Sequence, residues 1–551
     1  MSKRFVYGIL TLALFFRVVA LSSYPFGFTP DEASFGYDAY SLIKTGKDQW
    51  GQSFPLVLKS FGDFKSPLLA YLSMPFVWIF GLTKSATRLP NALIGTAAVY
   101  ATYLFVKKMF EQKKISFGNL RIEDIVLLLM AISPWHIMMS RGAFEANLTT
   151  LFMPLGMYFF LKGFSDIKSM NISAILFGLN LFTYHSAKLV TPLVLLLAIF
   201  LFRDKLSFKK YFVSFGIFLV FVLLTVYTFT LGAGARVADV SIFSGALVDA
   251  ARVRIPLIEG GMNPIWARLL HNKYETIVVR FLNNYFDYFS FKFLFASGPA
   301  EGTYGMIPGR GVLFFAELPL LLGAIFYYWK KKFTRMELLV LFWLLIAPVP
   351  AALTVGRGYA ANRATTMLPV LYIFLGLGAH FWQGKIKNKE KLALNMFSVI
   401  LAISFIGFVV EYVKPSTLRE QQMLSGRLEV AQWLAESLTD RPILVSRNLS
   451  EPQIYIAFAN SWDPRDYQEN SKSWDYEKAQ VNWVDQIPEY LLGQYLFKYV
   501  EEEDYLSNKL LVGKQQEFVE NGNFFEIFRF VVDGENDVLV VDPMAIAYEE
   551  E

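Results

Sequence analysis

Residues 211–231 read YFVSFGIFLVFVLLTVYTFTL, a run without one charged side chain. As a helix rising about 1.5 Å per residue it reaches across the roughly 30 Å hydrocarbon core of a bilayer. A soluble domain would have broken such a run into amphipathic stripes. Apolar blocks near this length recur at 9–21, 311–328, 338–353 and 397–412. Over the 551 residues, 54% are hydrophobic and only 18% charged, which is too apolar for a soluble chain that must cover itself with polar surface. The sequence therefore predicts an α-helical polytopic membrane protein.

Charges lie between the blocks, and the cations cluster. Lys107, Lys108, Lys113, Lys114 and Arg121 fill one linker; Arg203, Lys205, Lys209 and Lys210 a second; Lys330, Lys331, Lys332 and Arg335 a third; Lys385, Lys387, Lys389 and Lys391 a fourth. With Lys3 and Arg4 they mark the cytoplasmic side. Orientation thus accounts for the net charge of +5, and no nucleic-acid partner is implied. Without cysteine, disulfides, thiolate nucleophiles and cysteine metal sites are excluded. Arg17 interrupts the first block just before a weak cleavage pattern at Ala20-Leu21-Ser22, so that block reads as an uncleaved anchor.

Eleven spans are expected, near 5–22, 88–106, 122–138, 146–162, 172–186, 188–202, 211–231, 310–328, 337–353, 365–381 and 392–412. Residues 67–82 are apolar too, but counting them as a span would move the 107–121 cations outside. They are expected to lie along or dip into the outer face as a juxtamembrane helix. The N-terminus is then cytoplasmic, and the segments 24–65, 140–145, 184–188, 232–310 and 354–363 meet the external side. Residues 1–414 form a membrane domain. From 415 to 551 the composition becomes that of a soluble extracytoplasmic domain, α/β or α+β, with a helix at 428–438 and strands at 442–445, 453–458, 524–532 and 538–541.

Chemistry-bearing residues gather on the external segments. Asp31 and Glu32 follow Thr29 and Pro30, where a helix N-terminus favours acids; the alternatives are capping, or a carboxylate that accepts a proton or binds a cation. Glu145 supplies a further acid, and Arg141, four residues earlier, pairs with it if the stretch is helical. Arg357 and Arg363 flank a short outer loop, where arginine is scarce, so either they hold a phosphate through the guanidinium fork or they snorkel to lipid. Lys65 is a similar cation. His185, beside Tyr184, reads as a hydrogen-bonded interfacial histidine or a catalytic one. Nothing has the form of a zincin, nucleotide-binding or α/β-hydrolase motif in a credible context.

These residues also carry a family resemblance. Arg17, Phe28-Thr29-Pro30-Asp31-Glu32-Ala33, Gly36, Thr45-Gly46, Gly51, Pro55-Leu56, Lys65-Ser66-Pro67, Tyr71, Gly81 and Arg88-Leu89-Pro90 resemble the opening of the GT-C glycosyltransferases, nearest to the protein O-mannosyltransferase and aminoarabinose-transferase group. Ser133-Pro134 and 141–145 resemble that family's second external acidic element. The resemblance implies inverting transfer of a sugar from a polyprenyl-phosphate donor to an external acceptor, which is a protein, lipid or glycan. It implies Asp31 as the acid assisting the acceptor, with Glu32 beside it, and Glu145 as the second acid, where many members have Asp. Arg357 or Arg363, with Lys65, would hold the donor phosphate, supported by Arg141, His185 and Tyr71. In the family the second acid helps bind acceptor or a metal, so a divalent cation is left open. A transporter or flippase would use similar ingredients but should show broken or charged helices near the midplane. A scaffold would tolerate loss of Asp31, and a ligase or polymerase of lipid-linked glycans would move a longer chain.

Overall fold

The computed structural model describes residues 3–544 except 114, 235–240, 301–304, 330–332, 355–359, 384, 387–388, 438, 475–480, 482, 519–523 and 534–536. Arg357 and the linker residues Lys114, Lys330, Lys331, Lys332 and Lys387 lie outside the described residues. Helices occupy all eleven expected positions, from Lys3–Val18 to Glu390–Val413. Five of them, Lys84–Met109, Phe208–Gly232, Arg335–Ala352, Asn362–Gln383 and Glu390–Val413, are long and apolar enough to cross a bilayer individually. Thr149–Gly163 and Ile167–Asn180 have 15 and 14 residues, short of a full crossing at about 1.5 Å per residue. By helix length, then, the described residues show five or six spans where the apolar blocks led to an expectation of eleven.

The third expected span is the sixth candidate, and it is broken. Ile122–Ile132 and Pro134–Arg141 meet at 53°. Pro134 has no N–H to give to the Met130 carbonyl, while the Ser133 side chain caps the new helix by accepting from the His136 amide. Arg17 fills the gap. From the first helix its guanidinium donates to the carbonyls of Ala131 at 3.0 Å and Met130 at 3.2 Å, and it meets His136 Nδ1 at 2.9 Å. The arginine that interrupts the first apolar block thus repairs a backbone break in hydrocarbon, where an unsatisfied carbonyl is costly.

Phe208–Thr228 and Glu390–Val413 expose Phe212, Phe215, Leu219, Leu223 and Val226 on one and Leu392, Met396, Val399, Ile403 and Val410 on the other. Exposed apolar faces of this extent belong against lipid. Between 67 and 82 lies a helix of only 13 residues, Leu68–Phe80.

The C-terminal part is a six-stranded mixed sheet with helices, as an α/β reading requires. In spatial order its strands are 490–492, 495–498, 443–446, 510–514, 538–542 and 525–530. Residues 443–446 run parallel to both neighbours and the other pairs are antiparallel. The expected strands at 442–445, 524–532 and 538–541 are present; that at 453–458 is instead the helix Pro452–Ala459. A continuous apolar run suits a buried helix as well as a buried strand, and Pro452 at the first helical position decides for the helix. This helix packs on Pro30–Thr45: Tyr455 donates to the Phe28 carbonyl at 2.8 Å, and Phe28, Tyr37 and Phe458 share one core.

One ion pair ties Pro30–Thr45 to the membrane helix Lys84–Met109. Glu32 and Arg88 are fully buried, with Nε to Oε1 at 2.8 Å and Nη2 to Oε2 at 3.0 Å. Arg88 also donates to the carbonyls of Leu21, Pro25 and Gly27. Removing one partner of such a pair strands the other's charge. Arg88→Ala is therefore expected to cost about 3–5 kcal/mol of stability, read as a loss of unfolding free energy in detergent. Lys84→Gln, which breaks a part-exposed 3.8 Å pair with Glu429, should cost less than about 1 kcal/mol.

Candidate active site

Asp31 is placed by a helix start. Thr29 accepts from the Glu32 amide, the Glu32 side chain returns to the Thr29 amide, and Pro30 opens the helix. With Glu32 turned inward to Arg88, its neighbour Asp31 faces a cavity of about 290 Å³. Lys65 reaches the same cavity from a two-stranded hairpin in which Leu58 opposes Lys65. Its ammonium lies 3.1 Å from Asp31 Oδ1 and 4.6 Å from the centre of the Phe35 ring. The lysine is nearly buried, whereas Asp31 is about half exposed.

Glu145 enters at the head of the short 3₁₀ turn Glu145–Leu148. The turn is held from both sides. Asn147 donates to Asn91, which in turn donates to the carbonyls of Met139 and Gly142, and Thr365 donates to the Ala146 carbonyl at 3.0 Å. Burial, and next the charge of Asp31, push the Glu145 carboxyl up to about 7, with Lys65 acting in the opposite direction. Arg363 lines the cavity from the 3₁₀ segment Asn362–Met367 and donates to Thr354 Oγ1 at 3.0 Å. His185 Nε2 is 3.0 Å from the Phe64 carbonyl. A carbonyl only accepts, so this ring nitrogen carries the proton and the histidine anchors the hairpin that bears Lys65.

Of the residues singled out in the sequence, Asp31, Lys65, Glu145, His185 and Arg363 meet in this cavity. Three others do different work. Glu32, expected to be catalytic, has Oε1 engaged by Arg88 and the Ala143 amide and Oε2 by Arg88 and the Thr29 amide, so it positions its neighbours. Arg141 does not share a helical face with Glu145, because the helix ends there and Gly142 is extended. Its guanidinium instead takes the carbonyls of Phe16, Val19, Ala20 and Tyr24, staying near the end of the first helix. Tyr71 donates to the Pro55 carbonyl at 2.9 Å, away from the cavity lining. Asp63 also lines the cavity and was missed. Its signal was its place in the polar turn two residues before Lys65.

Asp31, Asp63 and Glu145 share the cavity, yet among the described residues no three histidine or acidic side chains converge tightly enough to hold a metal ion. The Lys65 ammonium supplies the positive charge beside Asp31. What the arrangement offers is a reachable carboxylate, a second carboxyl that titrates near neutrality, and two cations. Leu189, Phe243, Pro350 and Leu353 add an apolar wall.

No protein-family model and no curated protein matches the chain. Solved structures do. ArnT from Cupriavidus metallidurans bound to undecaprenyl phosphate is 12% identical, with a TM-score of 0.58 over 98% of each chain. The same protein in the apo state is 13% identical, with a TM-score of 0.52 over 98% of each chain. The likeness extends over nearly the whole of both chains, membrane helices and C-terminal sheet alike, and this chain shares the fold of that ArnT structure.

Proposed function

We propose that the protein transfers a sugar from a polyprenyl-phosphate carrier to an acceptor on the extracytoplasmic side of the membrane, with inversion at the anomeric carbon. The observation that carries this reading is the meeting of Asp31, Lys65, Glu145 and Arg363 in one cavity where membrane helices end. A lipid-linked donor brings its phosphate to that level and leaves its prenyl chain in hydrocarbon. The ArnT structure with the same fold is bound to a carrier of this class, undecaprenyl phosphate.

In this reading the acceptor oxygen forms a bond to the anomeric carbon while the bond from that carbon to the phosphate oxygen breaks. Asp31 takes the acceptor proton, and the electron pair of the broken bond leaves on the carrier phosphate. Lys65 pairs with Asp31, and Lys65 with Arg363 stabilises the charge developing on the phosphate, an effect of about 3–4 kcal/mol per fixed donor in comparable sites. Glu145 receives the acceptor beside Asp31. Residues 1–414 act as the catalytic membrane domain and 415–551 as an extracytoplasmic domain seated on the helix Pro30–Thr45.

The test is incubation of the purified protein with a panel of polyprenyl-phosphate sugars, reading release of the carrier phosphate. Asp31→Asn should lower kcat by about 10²–10⁴-fold while protein level and donor binding are retained; wild-type turnover would remove the assignment. Arg363→Ala should raise KM for the donor more than for the acceptor, and equal small effects would return that arginine to a lipid-snorkelling role. The pH profile of kcat/KM should carry an inflection near 7 that Glu145→Gln removes. Stability gives a second readout. A carboxyl raised from 4.5 to about 7 on folding holds its proton in the native state, so its contribution is present below pH 4.5 and lost as pH rises through 7. Glu145→Gln should flatten that decline.

A further inference from the structure

After the lipid-exposed helix Phe208–Thr228 the chain builds three helices, Ala246–Glu259, Pro264–Leu270 and Lys273–Asp287, of 14, 7 and 15 residues. None is long enough to cross a bilayer. Their outer surface is nevertheless apolar. Ile265, Trp266, Leu269 and Leu270 recur at one-turn spacing on one face of the middle helix, and all are exposed, Trp266 by 61%; Ala267 turns inward and is buried. On the third helix Tyr274, Val278, Leu282 and Phe286 stand four apart, making a single exposed stripe. Water-facing surface of a soluble domain does not carry a patch of this extent.

The arm is fastened to the membrane helices beside the cavity. Arg280 donates to the carbonyls of Ile242 and Ser244 and pairs with Asp249, Asn284 donates to the carbonyls of Ala352 and Thr354, and Tyr285 donates to the Leu345 carbonyl at 2.8 Å. Leu345 and Phe342 are exposed on the membrane helix Arg335–Ile346, so the apolar face of the arm continues a surface that already faces lipid. We propose that this three-helix arm is a membrane-interface anchor, lying in the leaflet to which the cavity opens with Ile265, Trp266, Leu269 and Leu270 inserted beneath the lipid phosphates. Its charges nearly balance: Arg252, Arg254, Arg268, Lys273 and Arg280 stand against Asp249, Glu259, Glu275 and Asp287. Apolar insertion therefore drives binding, and zwitterionic lipid suffices. The inference does not rest on the proposed reaction. It bears on the cavity, because Ser241 and Phe243, which line it, sit at the base of the arm.

The chain has no cysteine, so Leu270→Cys gives a single spin-label site in the full-length protein. A label at Leu506, 87% exposed in the C-terminal domain, is the water-facing control. In phosphatidylcholine nanodiscs the Leu270 label should collide more with oxygen than with a water-soluble nickel chelate, inverting the ratio seen at Leu506. Addition of anionic lipid or salt should not change this. A Leu270 label reached by the chelate as freely as the control would overturn the proposal; a surface reserved for a soluble protein acceptor would behave that way. Should the labelled variant misfold, quenching by brominated phosphatidylcholine provides the second measurement. The bromine-dependent loss of fluorescence should shrink in Trp266→Phe, and an unchanged loss would equally overturn the proposal.

Discussion

A buried carboxylate, Glu32, and a buried guanidinium, Arg88, lock the start of the helix Pro30–Thr45 to the membrane helix Lys84–Met109. Each reaches beyond the pair. Arg88 collects the carbonyls of the turn that leaves the first helix, and Glu32 accepts the amide of Ala143, two residues before Glu145. Since Asp31 precedes Glu32 directly, one ion pair sets where the two cavity acids stand relative to each other. Such a pair is expensive to desolvate and tolerable only when its remaining hydrogen-bonding positions are filled, which here they are.

Around that pair the structure repeatedly uses side chains to finish backbone that membrane helices leave open. Arg17 serves the carbonyls freed by Pro134, Arg141 those at the end of the first helix, and Asn91 those before Glu145. In hydrocarbon no water can do this, so polar residues at helix breaks are structural requirements before they are anything else. The cavity lies where these repairs leave charge over. Lys65, packed against Phe35 and Phe61 and paired with Asp31, lines it together with Arg363, Asp63 and Glu145.

Two of the same contacts are hard to read in sequence. Glu32 and Arg141 stand beside cavity acids in the chain, and adjacency suggested shared chemistry. Neighbours on a helix start point in different directions, though, and a spacing of four means a common face only while the helix continues, which Gly142 prevents. Asp63 was overlooked for the converse reason: a turn acid looks like surface until the hairpin brings it to the cavity that Glu145 and Arg363 also line. The apolar run at 453–458 has no period that separates strand from helix; Pro452 at its head starts the helix, and its packing on Phe28 and Tyr37 gives it its place.

What the sequence determined by itself is the class of protein, a multi-pass helical membrane chain. It follows from a property summed over many residues, apolar block length, which needs no knowledge of neighbours. The sequence also marked Asp31, Glu145, Lys65 and Arg363 as residues out of keeping with an apolar chain. Only the tertiary structure decided which of the marked charges face one cavity and which satisfy backbone, because that choice depends on pairs such as Glu32 with Arg88 and Arg17 with Met130, whose members lie 56 and 113 residues apart.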